Sequence, residues 1–395
     1  MQRKYPIKAS IATVTLSLAA GTFLLTGCPE GTLGITNFVP AGSGSPSPEP
    51  TGSAQDPDTA QDPGKDSDPA KEPSPLGELL LQHAQMPPDT WQVAAPMVHG
   101  RGGVSAGTMD GKIFALGGDS EATVEFYDPA RDAWRLSYLP PASSAGGRAR
   151  HFGAAVAAHG RIFYIGGTTN SVQDRLDLYN PQTHLWLDAS NRVLSHPRFQ
   201  RTAFAAVAND GLITLIGGML GATGASAPTD DVVAFNPDVT TGYSENYDLA
   251  KLPAPRAGLG AAMIDHHLYV VGGYGDLPTT GSAEATSSML RYRTNAWSEL
   301  SLADTPLAPL NTPRHSFGSA VLDGKCIVAG GMDSSGNVLD TVEAYDPQTN
   351  TWTFKAPMPR ARVHLALTPL NGRLFALGGF DQAGRPLRAV DVFRP

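Results

Sequence analysis

The chain repeats itself. Gly-Gly recurs at Gly117-Gly118, Gly166-Gly167, Gly217-Gly218, Gly272-Gly273, Gly330-Gly331 and Gly378-Gly379, at intervals of 49, 51, 55, 58 and 48 residues. Such a period constrains the fold strongly, because each unit must bury its apolar face against its neighbours. Every pair closes a short run such as Lys112-Ile113-Phe114-Ala115-Leu116 or Leu268-Tyr269-Val270-Val271. The β-branched and aromatic content of these runs predicts buried strands. Ahead of each lies a strand of small residues, for example Gly153-Ala154-Ala155-Val156-Ala157-Ala158. Small side chains suit positions where sheets converge on an axis and little volume remains. A third strand follows and ends near an aromatic: Tyr127, Tyr179, Phe235, Tyr292, Tyr345 or Phe393. Then comes an Asx-Pro turn in most units, such as Asp128-Pro129 or Asp346-Pro347, a type I turn signal. A tryptophan opens the outer strand at Trp134, Trp186, Trp297 and Trp352, with Tyr243 or Tyr247 as its substitutes in the third unit.

This order of strand, Gly-Gly, strand, Tyr-Asp-Pro and Trp resembles the Kelch family over about Trp91 to Pro395. The resemblance implies an all-β fold, a six-bladed Kelch-type β-propeller with four strands per blade around a central channel. The sixth unit ends at Arg394-Pro395 without an outer strand. Thr90-Trp91-Gln92-Val93-Ala94 supplies the missing piece, since Trp91 precedes Arg101 by ten residues, as Trp352 precedes Arg362. The N-terminal strand is therefore expected to complete the last blade, which would remove two free sheet edges.

The segment before the repeats has a different character. Arg3, Lys4 and Lys8 precede an apolar run from Ala9 to Leu25 that is too rich in Ser and Thr for a membrane span. It ends in Leu25-Thr26-Gly27-Cys28, which resembles the lipobox of bacterial lipoproteins. That resemblance implies cleavage before Cys28, acylation of Cys28, and an anchor at the bacterial cell envelope outside the cytoplasm. The following stretch is dominated by Pro, Ser, Gly, Asp and Thr and cannot bury enough surface to offset its ordering entropy. It reads as a disordered tether. Leu76, Leu79, Leu80 and His83 stand at helical spacing near its end. The expected organisation is a lipoprotein signal peptide at 1–27, a lipid-anchored linker at 28–89 and the propeller at 90–395. The body beyond Thr90 carries 27 acids and 24 bases out of a chain total of −8. That balance gives no electrostatic footprint for nucleic acid. The membrane is expected to be contacted through the lipid alone.

An arginine stands sixteen residues before each Gly-Gly: Arg101, Arg150, Arg201, Arg256, Arg314 and Arg362. Two readings stay open. A basic ring at the channel mouth could hold carboxylate or phosphate groups bidentately. Alternatively each Arg ties neighbouring blades together, since a residue present in every copy serves the scaffold. Two residues after each Arg stand Gly103, Phe152, Ala203, Gly258, Ser316 and His364. In Kelch adaptor domains of ubiquitin ligases the matching position can face the ligand. By that resemblance Phe152, Ser316 and His364 line the mouth. The loops at Met219 to Asp230 and Tyr274 to Ser287 are the longest and share that face in a propeller. Cys326 sits in an apolar run and reads as an inert buried thiol. His151, His315 and His364 lack the carboxylate spacing of a metal site, and Cys326 cannot serve as the cross-linked cysteine of the related galactose oxidases. No metal, cofactor or catalytic residue is assigned.

The expectation is a binding module that presents one propeller face to a protein or carbohydrate ligand, ranked ahead of an enzyme. The alternative is a cofactor-free sugar-modifying enzyme resembling periplasmic sialic-acid mutarotases, also six-bladed Kelch propellers, with His364 the nearest acid–base candidate.

Overall fold

The computed structural model describes residues 87–395 except 119–122, 138–148, 170–174, 188–193, 196, 210, 222–226, 238–245, 276–283, 295–299 and 303–305, together with a strand pair, Ser17–Leu18 with Gly21–Thr22. Cys28, the tether and the helical spacing at 76–83 lie outside the described residues, as does Trp297.

The body opens with β1 (Thr90–Val93). Five sheets then follow one another, each with its strands hydrogen-bonded in chain order. They are β2 (Ser105–Met109), β3 (Lys112–Leu116), β4 (Val124–Asp128) and β5 (Ala133–Leu136); then β6 (Ala154–Ala158), β7 (Arg161–Ile165), β8 (Arg175–Asn180) and β9 (Leu185–Leu187). Next come β10 (Ala205–Asn209), β11 (Leu212–Ile216), β12 (Val232–Phe235) and β13 (Asn246–Asp248), and β14 (Gly260–Ile264), β15 (His267–Val271), β16 (Met289–Thr294) and β17 (Leu300–Leu302). The fifth is β18 (Gly318–Leu322), β19 (Lys325–Ala329), β20 (Val342–Asp346) and β21 (Thr351–Lys355). A further sheet joins β22 (Ala366–Leu370), β23 (Arg373–Leu377) and β24 (Val390–Arg394) to β1. The N-terminal strand thus pairs with the C-terminal one, as the spacing of Trp91 predicted. Trp91 stands opposite Phe393, their rings are 5.1 Å apart, and the Trp91 indole N–H donates to the Ala356 carbonyl at 2.8 Å.

The architecture is all-β and multi-bladed, a propeller-like arrangement. Its core lies between sheets. One apolar cluster joins Ile113 and Tyr127 to Phe375 and Val392; another joins Tyr269 and Val271 to Val328 and Tyr345. Cys326 belongs to the latter, fully buried, and burial pushes its thiol up to about 12, so it is inert at neutral pH. The first two strands of each sheet meet in tight hairpins. Asp110-Gly111, Asp323-Gly324 and Asn371-Gly372 hold positive φ at both turn positions, as a type I′ turn requires. The innermost strands touch in sequence: β2 with β6, β6 with β10, β10 with β14, β14 with β18, β18 with β22, and β22 with β2.

The Gly-Gly pairs explain the sixteen-residue spacing of the arginines. The N–H of Gly331 donates to the Arg362 carbonyl of the next sheet at 2.8 Å, and a Cβ on Gly330 would sit 2.5 Å from that same oxygen. The same bond recurs from Gly118 to Arg150, Gly167 to Arg201, Gly218 to Arg256, Gly273 to Arg314 and Gly379 to Arg101. Meanwhile the Arg314 guanidinium donates to the Gly330 carbonyl of its own sheet at 2.9 Å. Arg101, Arg201, Arg256, Arg314 and Arg362 each read their own Gly-Gly with the side chain, Arg150 donates to the Tyr164 carbonyl, and all six receive the preceding pair with the backbone.

Candidate functional site

Two residues beyond each arginine the chain makes a second circuit. The N–H of Phe152 donates to the Gly103 carbonyl, Ala203 to Phe152, Gly258 to Ala203, Ser316 to Gly258, His364 to Ser316, and Gly103 to His364, over 2.7–3.1 Å. Every member holds positive φ, from 50° at Ala203 to 69° at Gly103. Only two of the six are glycine. Phe152, Ala203, Ser316 and His364 accept a backbone region that side chains rarely adopt, a strain of order 1 kcal/mol each, which persists where surrounding structure over-determines it.

This belt borders an axial cavity of about 200 Å³. Its walls are the small residues of the inner strands, among them Ala106, Ala155, Ala206 and Ala261, with Ser105 and Ser319 as further polar groups. Phe152, Ser316 and His364 all border it, so the structure brings these three expected residues together. The rings of Phe152 and His364 meet edge-on at 4.7 Å. Burial, with a smaller contribution from His315, pushes the His364 imidazole down to about 4, so it is uncharged at neutral pH. His315 Nδ1 lies 3.0 Å from Ser316 Oγ, and burial lowers its pKa too, with Asp333 opposing. His315 packs edge-on against Tyr274 at 5.0 Å. His151 is committed elsewhere: its Nδ1 lies 3.0 Å from the Gly102 carbonyl and must donate to it. No group of three or more metal-ligating side chains is clustered among the described residues.

The arginine ring does not face the mouth. Arg101, Arg150, Arg201, Arg314 and Arg362 are 0 % exposed and Arg256 is 7 % exposed, and none borders the cavity. The reading of these six as ligand-binding at the mouth is therefore corrected to the scaffold alternative. The physical reason is a buried acid on the third strand. Arg101 pairs with Glu125 at 3.0 Å, Arg150 with Asp177 at 2.8 Å, Arg314 with Glu343 and Arg362 with Asp391 at 2.6 Å each. The signal was present in the sequence and overlooked: an acid two residues before Tyr127, Tyr179, Tyr345 and Phe393. In the two intervening repeats the position holds Val233 and Leu290. There the buried guanidinium lacks that partner; burial lowers the pKa of Arg201 and Arg256, as it does those of the paired Arg314 and Arg362. Of the two long loops, 222–226 and 276–283 lie outside the described residues. The flanking bridge between Ala257 and Tyr274 sets the second loop's start beside the belt.

Comparison with known proteins agrees with the repeat. A family profile described as "Kelch motif" matches residues 255–301 and 313–359. Human "Kelch-like protein 23" is 27 % identical over 241 residues, 60 % of this chain and 38 % of that protein. The chain thus spans well under half of that relative. Human "Influenza virus NS1A-binding protein" is 32 % identical over 108 residues, 27 % of this chain and 17 % of that protein. Among solved structures, that of YjhT has a TM-score of 0.60 at 14 % identity, covering 75 % of this chain and 95 % of that one. A Kelch-repeat relationship is supported, and the likeness to YjhT is one of fold. The ranking of a non-enzymatic module ahead of an enzyme is overturned by this last match. It aligns the folded body with nearly the whole of that chain, 95 % of it.

Proposed function

We propose that the protein is a cofactor-free sugar-modifying enzyme, resembling sialic-acid mutarotases, that interconverts anomers at the axial mouth of a closed six-bladed ring. Two backbone circuits support closure: one through the Gly-Gly pairs returns from Gly379 to Arg101, the other from Gly103 to His364. The observation that carries the activity is His364, an uncharged imidazole on the belt beside Ser316, at the edge of a monosaccharide-sized cavity.

Anomer exchange needs one base and one acid. His364 takes the proton from the anomeric hydroxyl as the ring carbon–oxygen bond breaks and the carbonyl forms. Ser316, its hydroxyl held 3.0 Å from His315 Nδ1, gives its proton to the ring oxygen and recovers it when the ring recloses. Rotation of the carbonyl and the reverse transfers close the ring on its other face, and both residues return to their starting state. Positioned acid–base groups contribute typically 10²–10⁴-fold. The test is NMR exchange spectroscopy on N-acetylneuraminate and a panel of aldoses, with His364→Asn as control. Acceleration lost in the variant is expected; no acceleration of any sugar would end the proposal.

A second reading, a binding module for a protein or glycan, is supported by the printed name of the NS1A-binding relative. Anchoring through acylated Cys28 outside the cytoplasm remains our reading of the leader. Metabolic labelling with a clickable palmitate analogue should mark the wild type and not Cys28→Ala, and equal labelling of both would refute it.

A further inference from the structure

The mouth is asymmetric, and the asymmetry names a substrate class. On the belt the first repeat contributes Gly103, which follows Gly102 in the chain. A Cβ on Gly102 would fall within the ring of Phe380, and one on Gly103 would lie 2.6 Å from the ring of Phe152. The rings of the two flanking repeats thus occupy the space that these glycines leave. His364 stands edge-on to both, 4.7 Å from Phe152 and 6.3 Å from Phe380. Phe152 and His364 border the cavity, half-buried, and Phe380 packs against both rings from outside its lining. The opposite arc is small and polar: Ala203, Gly258 and Ser316.

No Lys, Arg, Asp or Glu borders the cavity among the described residues. The six arginines are buried behind it. Arg175, Arg385 and Arg388, which follow Gly-Gly pairs in sequence, are bonded to Asp177, Asp381 and the Met97 carbonyl. The belt N–H groups, which could otherwise cradle an oxyanion, all donate within the circuit. A carboxylate placed here would lose its hydration with no cation or free donor among the described residues to replace it, at a cost of several kcal/mol. An aromatic wall, in contrast, complements the C–H face of a pyranose, and the facing hydroxyl and imidazole suit its hydroxyl groups. The volume of about 200 Å³ falls below the roughly 300 Å³ at which sites for larger ligands begin.

We infer that the site takes a single uncharged pyranose stacked on the ring of Phe152, and rejects acidic sugars. The inference rests on the sugar-site reading above and departs from the acidic sugar that the family resemblance suggests. Binding and turnover are measured separately on the full chain: saturation-transfer NMR and calorimetry with D-glucose, D-galactose and N-acetyl-D-glucosamine against N-acetylneuraminate, and anomer exchange on the same sugars. A neutral sugar should bind at least tenfold more tightly than N-acetylneuraminate. Phe152→Leu, which keeps apolar volume but removes the ring face, should weaken it by about tenfold. Phe152→Met gives the same readout should the first variant misfold, and thermal melting reports folding of both. Tighter binding of N-acetylneuraminate, neutral sugars left unbound, or unchanged affinity in both folded variants would overturn the inference. Exchange of N-acetylneuraminate alone would leave the enzyme reading intact and sink this one; neutral-sugar binding without any exchange would do the reverse.

Discussion

Removing the acid from one buried arginine pair tests how the blades are held. Glu343 is fully buried, and its carboxylate accepts from Arg314 at 2.6 Å and from the backbone N–H groups of Asn311 and Thr312 at 2.8 and 3.1 Å. Glu343→Leu leaves a guanidinium uncompensated and two backbone donors without a partner. Loss of one partner of a buried pair costs about 3–5 kcal/mol, and each orphaned donor adds about 1–3 kcal/mol where water cannot reach it. Two observations moderate the sum. Arg314 keeps the Gly330 and Thr341 carbonyls, at 2.9 and 2.8 Å, and the protein already tolerates Arg201 and Arg256 without a third-strand acid. We therefore expect about 4 kcal/mol, read as a shift of the urea midpoint at unchanged slope by tryptophan fluorescence. The double variant Arg314→Met, Glu343→Leu should recover part of this, because the isolated charge is gone, but not all, because the Gly330 and Thr341 carbonyls lose their donor. A single-variant loss below about 1 kcal/mol, or full recovery in the double variant, would show that the pair does not hold the blade as argued.

Three other outcomes follow from the geometry. His364 has a folded pKa near 4 against an unfolded value of 6.5. The unfolded chain therefore binds the proton first, and stability should fall by about 3 kcal/mol as pH drops from 6.5 to 4, an effect removed in His364→Asn and absent above pH 7; identical urea midpoints for both proteins across that window would contradict it. Gly330→Ala should cost at least about 2 kcal/mol, since φ is +69° and the new Cβ meets the Arg362 carbonyl, whereas Gly336→Ala, at φ +81° with nothing within 4 Å, should cost about 1 kcal/mol. Calorimetry that ranks the two alike would refute the close-approach argument. Deleting residues 1–94 exposes the edge of β24, so light scattering should report aggregation and a lowered Tm; a monomer of unchanged Tm would remove β1 from the fold's essential parts.

Much of the arrangement was legible from repetition. Six copies in register fixed strand order, the small inner strands and the pairing of Trp91 with Phe393, because equivalent residues in a repeat meet equivalent surroundings. The mouth residues Phe152, Ser316 and His364 were reached by their offset from the arginines, which the structure explains as two neighbouring backbone circuits two residues apart in each repeat. The arginines themselves were misplaced. Periodicity shows that six side chains share an environment and is silent on whether that environment is water or wall; the third-strand acids at Glu125, Asp177, Glu343 and Asp391 decide it.

The amino-acid order by itself determined a radial repeat, its period and its junction, since alternation, glycine pairs and turn residues act over a few positions. Only the tertiary structure decided which side chains reach the axis. Phe152 and Phe380 pack toward each other because Gly102 and Gly103 of the first repeat leave room for their rings, and burial lowers the pKa of His364 so that it stays uncharged. Such contacts join residues more than two hundred positions apart, where no local pattern in the chain can record them.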